Sequence, residues 1–542
     1  MRLATIVLLT LVAAGVRAAA QEEHHHIHGE KLGAVHFSTS CNQTSQTEFN
    51  RAVALLHSFQ FSRAIEGFNA VLERDSACAI AYWGIALSDW SNPFAPGSKD
   101  AEQLRLGRES AERGRRTGAK TERERAYLAA VAKLYSDFER TPQQARLLAY
   151  RDAMGDVAAK YPQDHEAQIF YALALAAAED PADKTYAGRL KAGAILERLF
   201  QQEPTHPGLA HYIIHTYDVP ALAAKALLAA QRYAQIAPDA PHALHMPSHT
   251  FTRLGYWQDS IDSNLAAAAA ARREGQTAEE LHASDYETYA YLQTGQDAAA
   301  RRIVDSLPEV ASRFDPKSVV GGAAGPSVGL FALAAIPARF ALERGDWQQA
   351  QQLVVRETAF PYTDAITWFA RGLGAARAGQ AASADEAATA LQRIKVRLVK
   401  ANEAYWVRQV EIQELAVSAW AAFARGQRRD ALQRMKSAAE LEDGTEKSVV
   451  TPGPLAPARE LLAEMLLEVN EPLQAQQQFE ATLQKEPRRF RSLYGAARAA
   501  QLGGRRSVSQ KHFRDLLEVR SRADQPAARA ELEEARWAIL RE

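Results

Sequence analysis

The stretch "HPGLAHYIIHTYD" (206–218), followed by "PHALHMPSHTFTRLG" (241–255), decides how this chain is read. Histidine is scarce, 15 in 542 residues, yet these two segments hold six of them. Their spacing repeats. His211 to His245 and His215 to His249 are each 34 residues, as are Pro207 to Pro241 and Pro204 to Pro238. A 34-residue period is the length of a helix–turn–helix unit, so the chain reads as an array of such units.

The pattern extends well beyond the histidines. "FSRAIEGFNAVLERDSACAIAYWGIAL" (61–87) places Ala64 and Phe68 on one helix and Gly84 on the next. "LQAQQQFEATLQKEPRRFRSLYGAARAA" (473–500) repeats it, with Ala475 to Gly495 spanning 20 residues as Ala64 to Gly84 does. "RLGYWQDSIDS" (253–263) and "LERGDWQQAQQL" (342–353) supply the turn between helices. From about residue 45 to about residue 515 these segments resemble the tetratricopeptide family. The resemblance implies an all-α tetratricopeptide-repeat (TPR) helical solenoid, a right-handed superhelix of helix–turn–helix units. "LGAVHFSTSCNQTSQTEFNRAVALLHSF", "HMPSHTFTRLG", "HASDYETYAYLQTGQ" and "TPGPLAPARELLAEMLLE" further resemble a group of uncharacterised exported bacterial TPR proteins. That implies fold and export, and carries no activity with it.

Composition bounds the rest. Hydrophobic residues make up 47% of the chain, ample for a continuous core, and the formal net charge is −1. Nothing in that balance calls for nucleic acid or an anionic membrane as a partner. The opening "MRLATIVLLTLVAAGVRAAA" (1–20) has the early arginine, short apolar run and small residues of a secretory signal, which predicts a periplasmic or secreted bacterial protein. No later segment reads as apolar for long enough to span a membrane, so the mature chain is expected to be soluble. The two cysteines, Cys41 and Cys78, are expected to pair in an oxidising compartment, tying the entry segment to the second repeat. The sequence divides into a mobile His-rich segment (21–44), an N-terminal TPR array (45–313), a Gly-rich connection (314–329) and a C-terminal TPR array (330–542). A second long connection, "DGTEKSVVTPGPLAP" (443–457), is read as a loop on the same continuous solenoid.

The repeat gives the histidines their meaning. His211 and His215 are four apart and share a helix face, as do His245 and His249. In a solenoid, equivalent positions of successive repeats lie side by side. The two pairs are therefore expected to converge on one metal ion on the concave face, with His242, His282 and Asp285 as further ligands in that order. His282, Asp285 and Tyr289 follow from a 40-residue offset between Gly255 and Gly295. Gly208 stands where the partner of His242 would be. Pro247 sits inside the second helix and should kink it between His245 and His249. Imidazole-rich sites suit zinc and copper, and the sequence does not separate them. Three imidazoles and an open position would permit metal-dependent chemistry on a small organic or peptide substrate. The other reading is a non-catalytic peptide- or protein-binding TPR module with structural histidines. No phosphate-binding loop, nucleophile elbow or HExxH motif accompanies them.

Overall fold

The computed structural model describes residues 29–95, 97–318, 321–524 and 529–540. The expected signal (1–20) and the His24–His28 run lie outside them. The described chain is all-α, an array of antiparallel helix pairs with no strand among the described residues. It is a helical solenoid of TPR type. The sequence spacing has a direct cause. A Cβ on Gly84 would run into the ring of Phe68, and one on Gly495 into the ring of Phe479. At both ends of the array, the same Phe–Gly contact lets the two helices of a pair approach closely.

Cys41, just before the first long helix (Gln46–His57), is joined to Cys78, which caps the Ala79–Trp90 helix, with their Cα atoms 4.9 Å apart. The entry segment differs from expectation. It is packed from Leu32 onward, and Phe37 is fully buried against Phe49, Trp83 and Tyr127. Three large apolar side chains outweigh the cost of ordering so short a segment.

The Pro326–Glu343 helix corrects a second expectation, because it is long and apolar enough to cross a membrane. Two-thirds of it is buried inside the protein. It also carries Arg339 and Glu343, both buried in ion pairs. These mark it as a core helix of the array.

The array curls until distant repeats touch. Glu446, in the 443–457 connection, accepts hydrogen bonds from Lys184 Nζ and Tyr186 Oη, each at 2.8 Å. Arg339 donates to Gly453 O and Pro454 O and to Thr451 Oγ1. Arg489 binds Glu343 and Glu460 and donates to Tyr289 Oη. Two buried guanidiniums thus fasten the second long connection and the C-terminal repeats over the inner face of the N-terminal array.

Candidate metal centre

Three successive inner helices carry the histidines: Pro207–Thr216, the broken pair Pro241–His245 and Pro247–Leu254, and Thr277–Thr294. Proline begins each of the first two, where its missing N–H costs nothing. Pro247 lacks the N–H that would continue the helix past His245, and the helix breaks there. On the short segment before the break, His242 lies beside His211 and His215 of the preceding helix and His245 beside His282 of the next, and His249 follows beyond the break, beside His245.

The six imidazoles form two triples. His211, His215 and His242 have ring nitrogens within 4.8 Å of one another, and so do His245, His249 and His282. All six side chains are buried, none more than 6% exposed. The triples adjoin, with ring centroids 5.9 Å apart for both His215–His249 and His242–His245. The four histidines expected to share one ion thus fall into two adjoining groups, His211 with His215 and His245 with His249, and His242 and His282 complete them. Asp285 belongs to neither. Its two carboxylate oxygens face the guanidinium of Arg339 at 3.0 and 3.3 Å, because that buried cation needs a counter-charge. Tyr289 likewise turns to Glu486 and Arg489, and Tyr286 takes its place beside His245 and His249.

Hydrogen bonds fix the protons of the key rings. Asn264 donates its amide to Ser260 O at 2.7 Å, so its carbonyl Oδ1 accepts from His245 Nδ1 at 2.6 Å. Asp218 Oδ2 accepts from His249 Nδ1 at 3.0 Å. Burial opposes the charge on Asp218, but Lys447 and Arg253 hold its carboxyl well below the usual range. His211 Nδ1 donates to the carbonyl of His57 at 2.6 Å. A ring with its proton on Nδ1 presents a bare lone pair at Nε2.

The consequence is sharp at one contact. His245 Nε2 and His249 Nε2 lie 3.1 Å apart, and each carries a lone pair with no proton between. Protonating either ring is disfavoured. Burial pushes His245 well below its ordinary value, helped by His282 and His249, and pushes His249 down to about 4 against the pull of Asp218. Burial, then the neighbouring imidazoles, also lowers His211, His215 and His282. Two facing acceptors are matched by a cation. Nitrogens each about 2.0–2.1 Å from a tetrahedral ion lie roughly 3.3 Å apart.

The first triple shows the same deficit in another form. His211 Nε2 and both nitrogens of His215 and His242 have no hydrogen-bond partner, and neither does His282 Nδ1 in the second triple. Buried polar atoms without partners are rare, and six in one place call for a common ligand. Phe59 and Phe94 pack against His211 and His215, closing this side to water.

Gly208 explains the gap in the repeat. A Cβ there would strike His57, whose ring occupies the space and whose carbonyl orients His211. His57 and His206 share Glu166, one on each carboxylate oxygen, at 2.9 and 3.0 Å. The sequence reading missed Asp218, Asn264 and Tyr286. Only Asp218, three residues after His215 on the same segment, left any trace there.

A cavity of about 20 Å³ opens between the triples, lined by His215, His242, His249 and His282 and roofed by Ala323, Ala324, Val328, Val449 and Val450. Beyond Val449 and Val450 lies a larger groove of about 120 Å³, bordered by Arg253, Lys447 and Glu486 and by the stacked pair Tyr362 and Trp406. Tyr286 Oη donates toward Val449 O and Thr451 O, so one segment walls both spaces.

No family model matches the sequence, and no curated protein does. Solved structures that align along the chain include the Cut9–Hcn1 hetero-tetramer of the APC/C, at 14% identity, covering 91% of this chain and 90% of that one, with a TM-score of 0.35. The human IFIT1 dimer with m7Gppp-AAAA aligns at 10% identity, over 89% of this chain and 96% of that one, with a TM-score of 0.34.

Proposed function

We propose that this protein is an exported TPR-type solenoid whose inner face holds two transition-metal ions of the zinc or copper class, each bound by three imidazoles. His211, His215 and His242 hold one ion, and His245, His249 and His282 hold the other. The observation that carries this reading is the contact between His245 Nε2 and His249 Nε2, two lone pairs held 3.1 Å apart by fixed hydrogen bonds on their far sides. Absence of a ligating carboxylate from both triples supports a metal suited to imidazole over magnesium, calcium or manganese. The bridged cysteines support an oxidising compartment.

The adjoining groove supports access by a small organic or peptide molecule. Its stacked aromatic pair and paired charges suit an anchoring side chain. A purely peptide-binding module would use the same groove while leaving the imidazole nitrogens unmatched.

The test is metal content of untagged protein, counted per folded chain. Two zinc or copper ions are expected. His211→Ala and His245→Ala should each lose one, and the double variant both, with the helical spectrum unchanged. Replacing His24–His26 should alter nothing. Retention of both ions by the double variant would refute the assignment.

A further inference from the structure

The two triples differ from most paired metal sites in the charge that surrounds them. Six neutral rings bring no negative charge to the ions. Asp218 touches His249 but is already matched by Arg253 Nε at 2.8 Å and Lys447 Nζ at 3.4 Å. Glu279, buried 3.7 Å from His242 Nδ1 and accepting from the backbone N–H of Ala324, is the one carboxylate left to offset charge, and it lies beside the first triple only. Two divalent ions would place four positive charges in a buried site against that single carboxylate. Two monovalent ions place two, and the cost of burying charge rises steeply with its amount. Among transition metals that imidazole binds well, copper is the one stable as a monovalent ion, and three neutral ligands satisfy it.

The space between the triples narrows the ligand further. Four imidazoles line one side of the 20 Å³ cavity and small aliphatic side chains the other. Asn92 is the one other polar side chain there, and its amide is spent on Ala323 O and Phe94 N. Once the imidazole nitrogens are spent on the ions, such a chamber has nothing left to recognise a charged or hydrogen-bonding substrate, and it is too small for most organic molecules. It suits a small uncharged diatomic.

We propose, resting on the two-ion assignment, that the centre takes two cuprous ions and binds dioxygen between them. Each copper gives one electron and dioxygen accepts both, so the product is a peroxide dianion bridging two cupric ions. No proton and no outside reductant enters this step. Its net charge also stays constant: two cuprous ions carry two positive charges, and two cupric ions with one peroxide carry the same two. A buried site with Glu279 as its one spare counter-ion therefore accommodates both states. Val449 and Val450 separate the bound gas from the larger groove, which lies where an oxidisable molecule would approach.

The experiment starts from metal-free protein loaded under nitrogen with cuprous acetonitrile complex and then opened to oxygen. Expected are two coppers per chain and uptake of one dioxygen per pair. An intense near-ultraviolet band from peroxide-to-copper charge transfer should appear, with no electron paramagnetic resonance signal because the two cupric spins are coupled. His282→Ala and, separately, His242→Ala should bind one copper, show an ordinary mononuclear cupric signal in air, and lose the band entirely. A chain that binds two coppers but gives uncoupled cupric signals and no band would overturn the dioxygen inference and leave the two-ion centre standing. So would one that binds two zinc ions but not two cuprous ions. A chain that holds fewer than two ions of either metal would overturn both.

Discussion

Asn264 ligates nothing, yet it decides which nitrogen of His245 is free. Its carbonyl holds the Nδ1 proton at 2.6 Å and leaves Nε2 aimed at His249. Replacing it by leucine removes that acceptor while filling similar space. Partners of this kind are worth about 10–100-fold in metal affinity, so Asn264→Leu should weaken one of the two ions by that factor in a competition titration. The other ion should be unaffected. Asp285 makes the opposite case. Its sequence position on the stripe with His282 suggests a ligand, but both of its oxygens serve Arg339. Asp285→Asn should cost about 3–5 kcal/mol in denaturant unfolding, since it strands a buried guanidinium. It should keep both metal ions per folded chain, and loss of an ion would show that the carboxylate ligates after all.

Most of each helix pair was legible in the sequence, because the pair is local. Ala64, Phe68 and Gly84 recur as Ala475, Phe479 and Gly495 through one steric contact, so their spacing reports packing directly. The histidine spacing told which helices carry the clustered imidazoles for the same reason. It did not tell how the imidazoles divide. That depends on His242 and His245, three positions apart on one short segment, finding different neighbours: His242 meets His211 and His215, His245 meets His282, and a period of 34 contains no information about such a division. Cys41 and Cys78 staple the first of these pairs to the entry segment, closing a loop of 37 residues. Opening it with a reductant should lower stability by about 2–4 kcal/mol. Thermal unfolding with and without reductant measures this, and an unchanged midpoint would mean the buried entry segment holds itself.

At the scale of the whole molecule, the site is made by closure of the array. Lys447 reaches Asp218 across 229 residues, and Arg339 binds the 451–454 turn that follows Val449 and Val450 of the roof over the histidines. None of this was legible, because superhelical curvature accumulates from small angles between repeats that no residue pattern records. The closure also explains why the imidazoles are buried although they sit on an inner face that an open solenoid would leave wet. The central claim is a pair of adjacent ions, each in a shell of three imidazole nitrogens. X-ray absorption at the metal edge of the loaded protein measures both features at once. The account predicts about three nitrogen scatterers per metal near 2.0 Å, the multiple scattering of imidazole rings, and a metal–metal vector. A shell dominated by oxygen, or six nitrogens around one isolated ion, would contradict it.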